Sequence, residues 1–325
     1  MRFERMAIAL LLFSCLQAGL LTAQTAPSAP AAGTPTDQRL APGASKVTSA
    51  PLSKTAGQSR RTGGDPVDDR VELREYGFKD TGENLPYAVF VSSKVTRDKK
   101  APLVLALHGF SGNHGTFMRT AAVDAAEEGG YILVGAMGYS PSGSFGMPFR
   151  GRGAGRGPAP APAAGPAPLA PRGGRGAPIG GTAVTDPEKV AALSERDALY
   201  VLEMVRKEFN VDDRRIYLMG HSLGGGGALH MGEKYADKWA AVAPLAPAAF
   251  GFEWTAESKL KNVPLLIMQG EADTTVRPAS SQALADQLKA LDFQCEIKIM
   301  PGLDHGTIIA GSMPDVFKFF SKHTK

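Results

Sequence analysis

The sequence is short of cysteine. Only Cys15 and Cys295 occur among 325 residues, and Cys15 lies in an N-terminal apolar run that reads as a cleaved leader. A mature chain with one thiol forms no internal disulfide, so its fold must be stable without that constraint. Charge of one sign is not in excess either. Against 36 Lys and Arg stand 32 Asp and Glu, a net +4, which argues for no nucleic-acid partner. Beyond the leader, no apolar stretch is long enough to span a bilayer. The histidines and cysteines show no His-x-x-x-His or Cys-x-x-Cys spacing for zinc. No Gly-Lys-Ser/Thr phosphate loop occurs, and the glycines at 224–227 lack the dinucleotide fingerprint. No metal or redox cofactor is expected.

What is present is uneven. Arg2 and Arg5 precede a mostly apolar run over 6–21, and Thr22-Ala23-Gln24 offers a small-residue cleavage site. Residues 1–23 therefore read as a signal peptide. A retained anchor ranks second, and a lipoprotein acylated at Cys15 third. Residues 24–66 are rich in Ala, Pro, Thr, Ser and Gly and bury too little to offset ordering entropy, so they read as a disordered linker. The globular region spans 67–325. A low-complexity Gly/Pro/Ala/Arg insertion interrupts it at about 141–184. That stretch looks like an Arg-Gly box, but aromatics are nearly absent between its arginines, so a surface insertion is favoured over RNA binding. The expected location is periplasmic or extracellular.

Elsewhere apolar runs of strand length alternate with helical periodicity. Strands are expected at 86–91, 102–107, 131–136, 216–219, 239–244, 263–268 and 295–300. Helices are expected at about 115–128, 187–209, 224–235, 280–291 and 313–322, with Thr185 and Glu188 as a capping box for the second. Cys295 falls in a strand-like run and reads as packing. This alternation implies an α/β fold, a mostly parallel sheet with helices on both faces.

One stretch carries chemistry. Residues 216–227 read as an apolar strand, then Gly220-His221-Ser222-Leu223-Gly224, then a helix. A serine hydroxyl attacks only when it is exposed, aimed and relieved of its proton. A sharp strand-to-helix turn exposes it, and side chains two positions either side would clash, so glycine belongs at 220 and 224. Glycines 225–227 would let the helix approach neighbouring strands. Ser222 is thus the candidate nucleophile.

Six histidines compete as its base. His221 would point away on a sharp turn, His230 lies two helical turns on, His323 sits at the C-terminus, and His108 and His114 precede the serine. His305, in the loop after the last strand, is preferred. The acid should follow the strand 263–268. Asp273 is preferred there to Glu271, and Asp304 is a more distant rival. Two backbone N–H groups are needed for the developing oxyanion. They are assigned to Leu223 and to Phe110, with Ser111 next after Phe110, in the loop that begins His108-Gly109.

With these residues in hand, the chain resembles the α/β-hydrolase superfamily. More narrowly it looks like secreted polyhydroxybutyrate depolymerases and feruloyl esterases, together with the catalytic domain of prolyl-oligopeptidase-type peptidases. The likeness runs from about Leu85 to the C-terminus, apart from the insertion. It is strongest at 85–91, His108-Gly109, 213–222 and 270–273. It implies an α/β-hydrolase fold and a triad of Ser222, Asp273 and His305, the same residues reached above. It implies hydrolysis of a small or oligomeric carboxylic ester through an acyl-enzyme. The alternative is a peptidase acting on small peptides, and a third reading is a non-catalytic binder on the same scaffold. No β-propeller precedes the domain, and no polymer-binding module or counterpart of the Arg-Gly insertion is recognised.

Overall fold

A computed structural model describes residues 66–142, 144–147, 179–249 and 251–325 of the chain. The signal peptide, nearly all of the linker, and residues 148–178 of the insertion lie outside these. Eight strands form one sheet: β1 (Glu72–Gly77), β2 (Asn84–Val91), β3 (Ala101–Leu107), β4 (Ile132–Ala136), β5 (Val211–His221), β6 (Ala241–Leu245), β7 (Leu265–Gly270) and β8 (Cys295–Met300). Among the described residues six α-helices accompany them: α1 (Thr120–Gly129), α2 (Pro187–Glu208), α3 (Leu223–Lys234), α4 (Pro278–Ala290), α5 (Ile308–Gly311) and α6 (Met313–Phe320). The strand order is β1-β2-β4-β3-β5-β6-β7-β8. β2 runs antiparallel to both β1 and β4, and every pairing from β4 to β8 is parallel.

Two apolar layers follow from the period-2 geometry of the strands. Leu103, Leu105 and Leu107 of β3 join Leu218 of β5 on one face, where they meet Val201, Leu202 and Val205 of α2, Leu229 of α3 and Leu288 of α4. The alternate residues Val104, Ala106, Tyr217 and Met219 face the other layer, with Val123 and Ala126 of α1 and Val316, Phe317 and Phe320 of α6. Since both faces are covered, β3 is buried at every position, which explains its unbroken apolar run. Burying one such Leu side chain stabilises the fold by about 1.5–3 kcal/mol.

Several sequence expectations are corrected. β1 was not foreseen. The first helix begins at Thr120 rather than 115, since 112–118 fold as turns closed by Thr116 N–H to Asn113 O and Met118 N–H to Gly115 O. Asp186, not a Thr185–Glu188 box, caps α2: its carboxylate accepts from Lys189 N–H at 2.9 Å. The short α5 precedes α6. The described flanks of the insertion are built into the domain. Phe145 is fully buried, Gly146 N–H donates to Ala191 O, and at the other end Val184 N–H donates to the Tyr139 hydroxyl. Cys295 is buried, as its strand context suggests, and burial pushes its thiol up to about 11. Among the described residues no helix is long and apolar enough to cross a membrane.

Candidate active site

Parallel strands bring their carboxyl ends to one edge of the sheet, and loops leaving that edge collect the polar groups. β5 ends at His221 and α3 starts at Leu223, which leaves Ser222 alone at the corner. Its backbone is strained, with φ 56° and ψ −116°, a conformation that costs a non-glycine residue about 1–3 kcal/mol. Close packing enforces it. A Cβ at position 220 would lie 2.1 Å from Gly224 O, and one at 224 would lie 2.2 Å from Leu107 O. Ser222 N–H donates to Leu245 O, and Ser222 O accepts from Gly226 and Ala248 N–H. Of the next three glycines, only Gly225 faces a strand, at Leu245 O. Gly226 and Gly227 make room for Met147 and Phe145 from the insertion flank.

His305 follows β8, in the loop before α5. Its Nε2 lies 3.0 Å from Ser222 Oγ, and its Nδ1 lies 2.7 Å from Asp273 Oδ2. With a carboxylate that only accepts, Nδ1 carries the hydrogen and Nε2 accepts from the serine hydroxyl. Asp273 is buried beyond β7. Its Oδ1 accepts from Thr275 N–H at 2.8 Å and Val276 N–H at 2.9 Å. The buried Gln269 amide lies 3.3 Å from Oδ2 and takes a hydrogen bond from Ser281 on its own oxygen. The line from Ser222 through His305 to Asp273 is therefore continuous and braced from behind.

Most of the rivals are engaged elsewhere. Glu271 is exposed and accepts from Gly302 N–H. Asp304 closes its own loop, accepting from Gly306 and Thr307. His230 pairs with Glu195, His323 packs on Phe319, and His108 sets its two ring nitrogens against Gly109 O and Met137 O. Burial pushes His114 down to about 4, with His108 adding to the shift. His221, by contrast, turns from Ser222 toward His305: its Nε2 is 2.7 Å from His305 O. Neither His221 nor Gln269 was singled out for the site from sequence: His221 was set aside as a base because it adjoins Ser222, and Gln269 carries no motif.

The loop after β3 reaches the same corner. A Cβ at Gly109 would sit 3.0 Å from Ser222 Cβ. Phe110 follows and is 62% exposed. Ser111, with φ 61°, gives its N–H to Pro141 O, which removes it as an oxyanion donor. Leu223 opens α3, so its N–H has no intrahelical partner. Among the described residues no group of His, Cys, Asp and Glu is arranged to hold a metal ion.

Comparison with known proteins adds to this geometry. A family model described as PETase, PET hydrolase-like, matches residues 188–296. That span holds Ser222 and Asp273 and stops short of His305. A bifunctional acetylxylan esterase/xylanase of Neocallimastix patriciarum is 31% identical over 97 residues, which is 30% of this chain and 14% of that protein. The chain thus spans a small part of that relative. Among solved structures, an S-formylglutathione hydrolase of Agrobacterium tumefaciens matches with a TM-score of 0.56 at 17% identity, over 81% of this chain and 99% of that one. A ferulic acid esterase of Anaeromyces mucronatus matches with a TM-score of 0.55 at 19% identity, over 81% and 94%. A thermostable esterase gives 0.55 at 19% identity, over 80% and 64%. The chain has the α/β-hydrolase fold.

Proposed function

We propose that this protein is a serine esterase that cleaves carboxylic esters through an acyl-enzyme. Ser222 is the nucleophile, His305 the general base and acid, and Asp273 the group that fixes the imidazole tautomer. The observation that carries the reading is the unbroken hydrogen-bonded line from Ser222 Oγ through His305 to Asp273. As Oγ attacks the ester carbonyl carbon, its proton passes to His305 Nε2. The imidazolium then faces the Asp273 carboxylate, whose charge is held by two backbone N–H groups. The carbonyl oxygen, now negative, is received by the backbone N–H groups of Leu223 and Phe110. The carbon–oxygen bond to the leaving alcohol breaks, and His305 gives that alcohol its proton. Water, deprotonated by His305, repeats the cycle on the acyl-Ser222 and regenerates the hydroxyl.

The similarity to proteins named as acetylxylan and ferulic acid esterases supports an ester substrate, small or oligomeric. Export through the leader at 1–23 belongs to the same proposal. A fold that buries its single mature cysteine is compatible with an oxidising compartment.

The test is release of p-nitrophenol from a short acyl ester by residues 24–325, beside the Ser222→Ala variant. Turnover should fall on the order of 10⁴-fold or more in the variant. Equal activity in the two proteins would remove Ser222 from the mechanism. A matched ester and amide pair then separates esterase from peptidase, since the amide requires protonation of a poorer leaving group.

A further inference from the structure

We infer that His221 is a positioning residue of this site, which holds the base His305 by its main chain and sets the gap between that base and the loop after β3. The inference rests on the esterase reading above. Three contacts carry it. His221 Nε2 lies 2.7 Å from His305 O. A carbonyl oxygen only accepts, so Nε2 carries the hydrogen. Burial, reinforced by the neighbouring His305 ring, pushes the His221 imidazole down to about 4. The ring is therefore neutral near pH 7, with one N–H, and that N–H is committed to His305. On its other side, a Cβ at Gly109 would sit 3.1 Å from both His221 Nδ1 and His221 O. Its ring also lies against the His305 ring, with centroids 4.5 Å apart and planes at 48°.

One side chain thus ties the serine corner, where it sits, to the β8–α5 loop and lies close to the β3–α1 loop, where a Cβ at Gly109 would crowd it. The need for such a brace is visible in the β8–α5 loop. Asp304 and Gly306, on either side of His305, are exposed, and the bonds of Asp304 are local to that turn. The side chain of His305 is fixed by Asp273 and Ser222, and its main chain is fixed by His221.

The experiment compares His221→Phe, which keeps a flat buried ring without the donor, with His221→Gln, whose amide can place an N–H near the position of Nε2. Both are measured for kcat and KM on a p-nitrophenyl ester. Both are also examined by proton NMR for the downfield resonance of the His305 Nδ1 hydrogen bound to Asp273. In His221→Phe, kcat should fall about 10–100-fold with KM nearly unchanged, the scale of a small misplacement of a reacting group. Its downfield resonance should shift or broaden. His221→Gln should recover most of kcat and keep the wild-type resonance. A His221→Phe variant with wild-type kcat and resonance overturns the inference. So does a folded His221→Gln variant as impaired as His221→Phe. If His221→Phe does not fold, His221→Gln decides alone: near wild-type values support the role, and a folded protein with low kcat overturns it. Ser222→Ala, assayed beside them, separates the two claims. If it stays active, the esterase reading fails, and the resonance still reports on His221.

Discussion

Gly224→Ala adds one methyl group where the serine corner meets the end of β3. The new Cβ would lie 2.2 Å from Leu107 O and 2.3 Å from His108 O. Ordinary contact needs about 3.5 Å, so the gap must open by about 1 Å. Both obstacles are backbone, one at the end of the central strand β3 and the other at the start of the loop that carries Phe110. Neither can rotate away as a side chain would. The methyl therefore drives the loop that carries Phe110 from Ser222, and a displacement of about 1 Å at the groups proposed to react should lower kcat about 10²-fold. Overpacking costs about 1–3 kcal/mol of stability, offset by about 1 kcal/mol from the better helix propensity of alanine. Gly232→Ala is the control in the same helix. Its Cβ meets Leu260 Cδ1 at 2.9 Å, the far end of a flexible side chain, so that variant should keep full activity and an unchanged or higher melting temperature. Ester hydrolysis and thermal melting of the two variants check the argument. A Gly224→Ala protein with kcat within about threefold of wild type would refute the claim that this close approach aligns the site.

Two further predictions concern buried ionisable groups. Asp197 of α2 accepts from the Tyr76 hydroxyl at 2.6 Å and from Gly138 N–H at 2.7 Å, yet burial pushes its carboxyl up to about 7. A folded-state value above the unfolded one means stability that is fully present below about pH 4 and lost as pH rises through about 7. Urea midpoints should show wild type losing ground to Asp197→Asn across that window and not beyond it, whereas a pH-independent difference between the two would contradict the assignment. Cys295, with burial holding its thiol at about 11, should resist a thiol reagent at pH 8 in native protein lacking residues 1–23. It should react with one equivalent in denaturant, and rapid native labelling would show that β8 opens.

Much of this was legible in the sequence because particular steps allow few residue types. A serine at a strained corner needs small neighbours, so Gly220 and Gly224 flank it, and the loops after β7 and β8 each offered few groups suited to their role. The buried strands were equally plain: when both faces of β3 are covered, every residue must be apolar, and the run announces itself. β1 escaped for the opposite reason. Only Tyr76 of its six residues is buried, so an edge strand rich in charge carries no period. The cap of α2 was misread because Thr185 and Asp186 are adjacent candidates, and only the backbone path decides which oxygen reaches Lys189 N–H. The insertion flank misled through composition. Phe145 stands among Ser, Gly and Pro, yet its ring fills space beside Gly227, and no local pattern announces a contact made across some 80 positions. The contact between His221 and His305 was hidden by the adjacency of His221 to Ser222. Neighbours in sequence point apart on a sharp turn, so the side chain that follows the strand direction reaches the loop of His305, 84 positions away. In this site local rules identify the groups proposed to react, and the groups that hold them become visible only once distant loops are brought together.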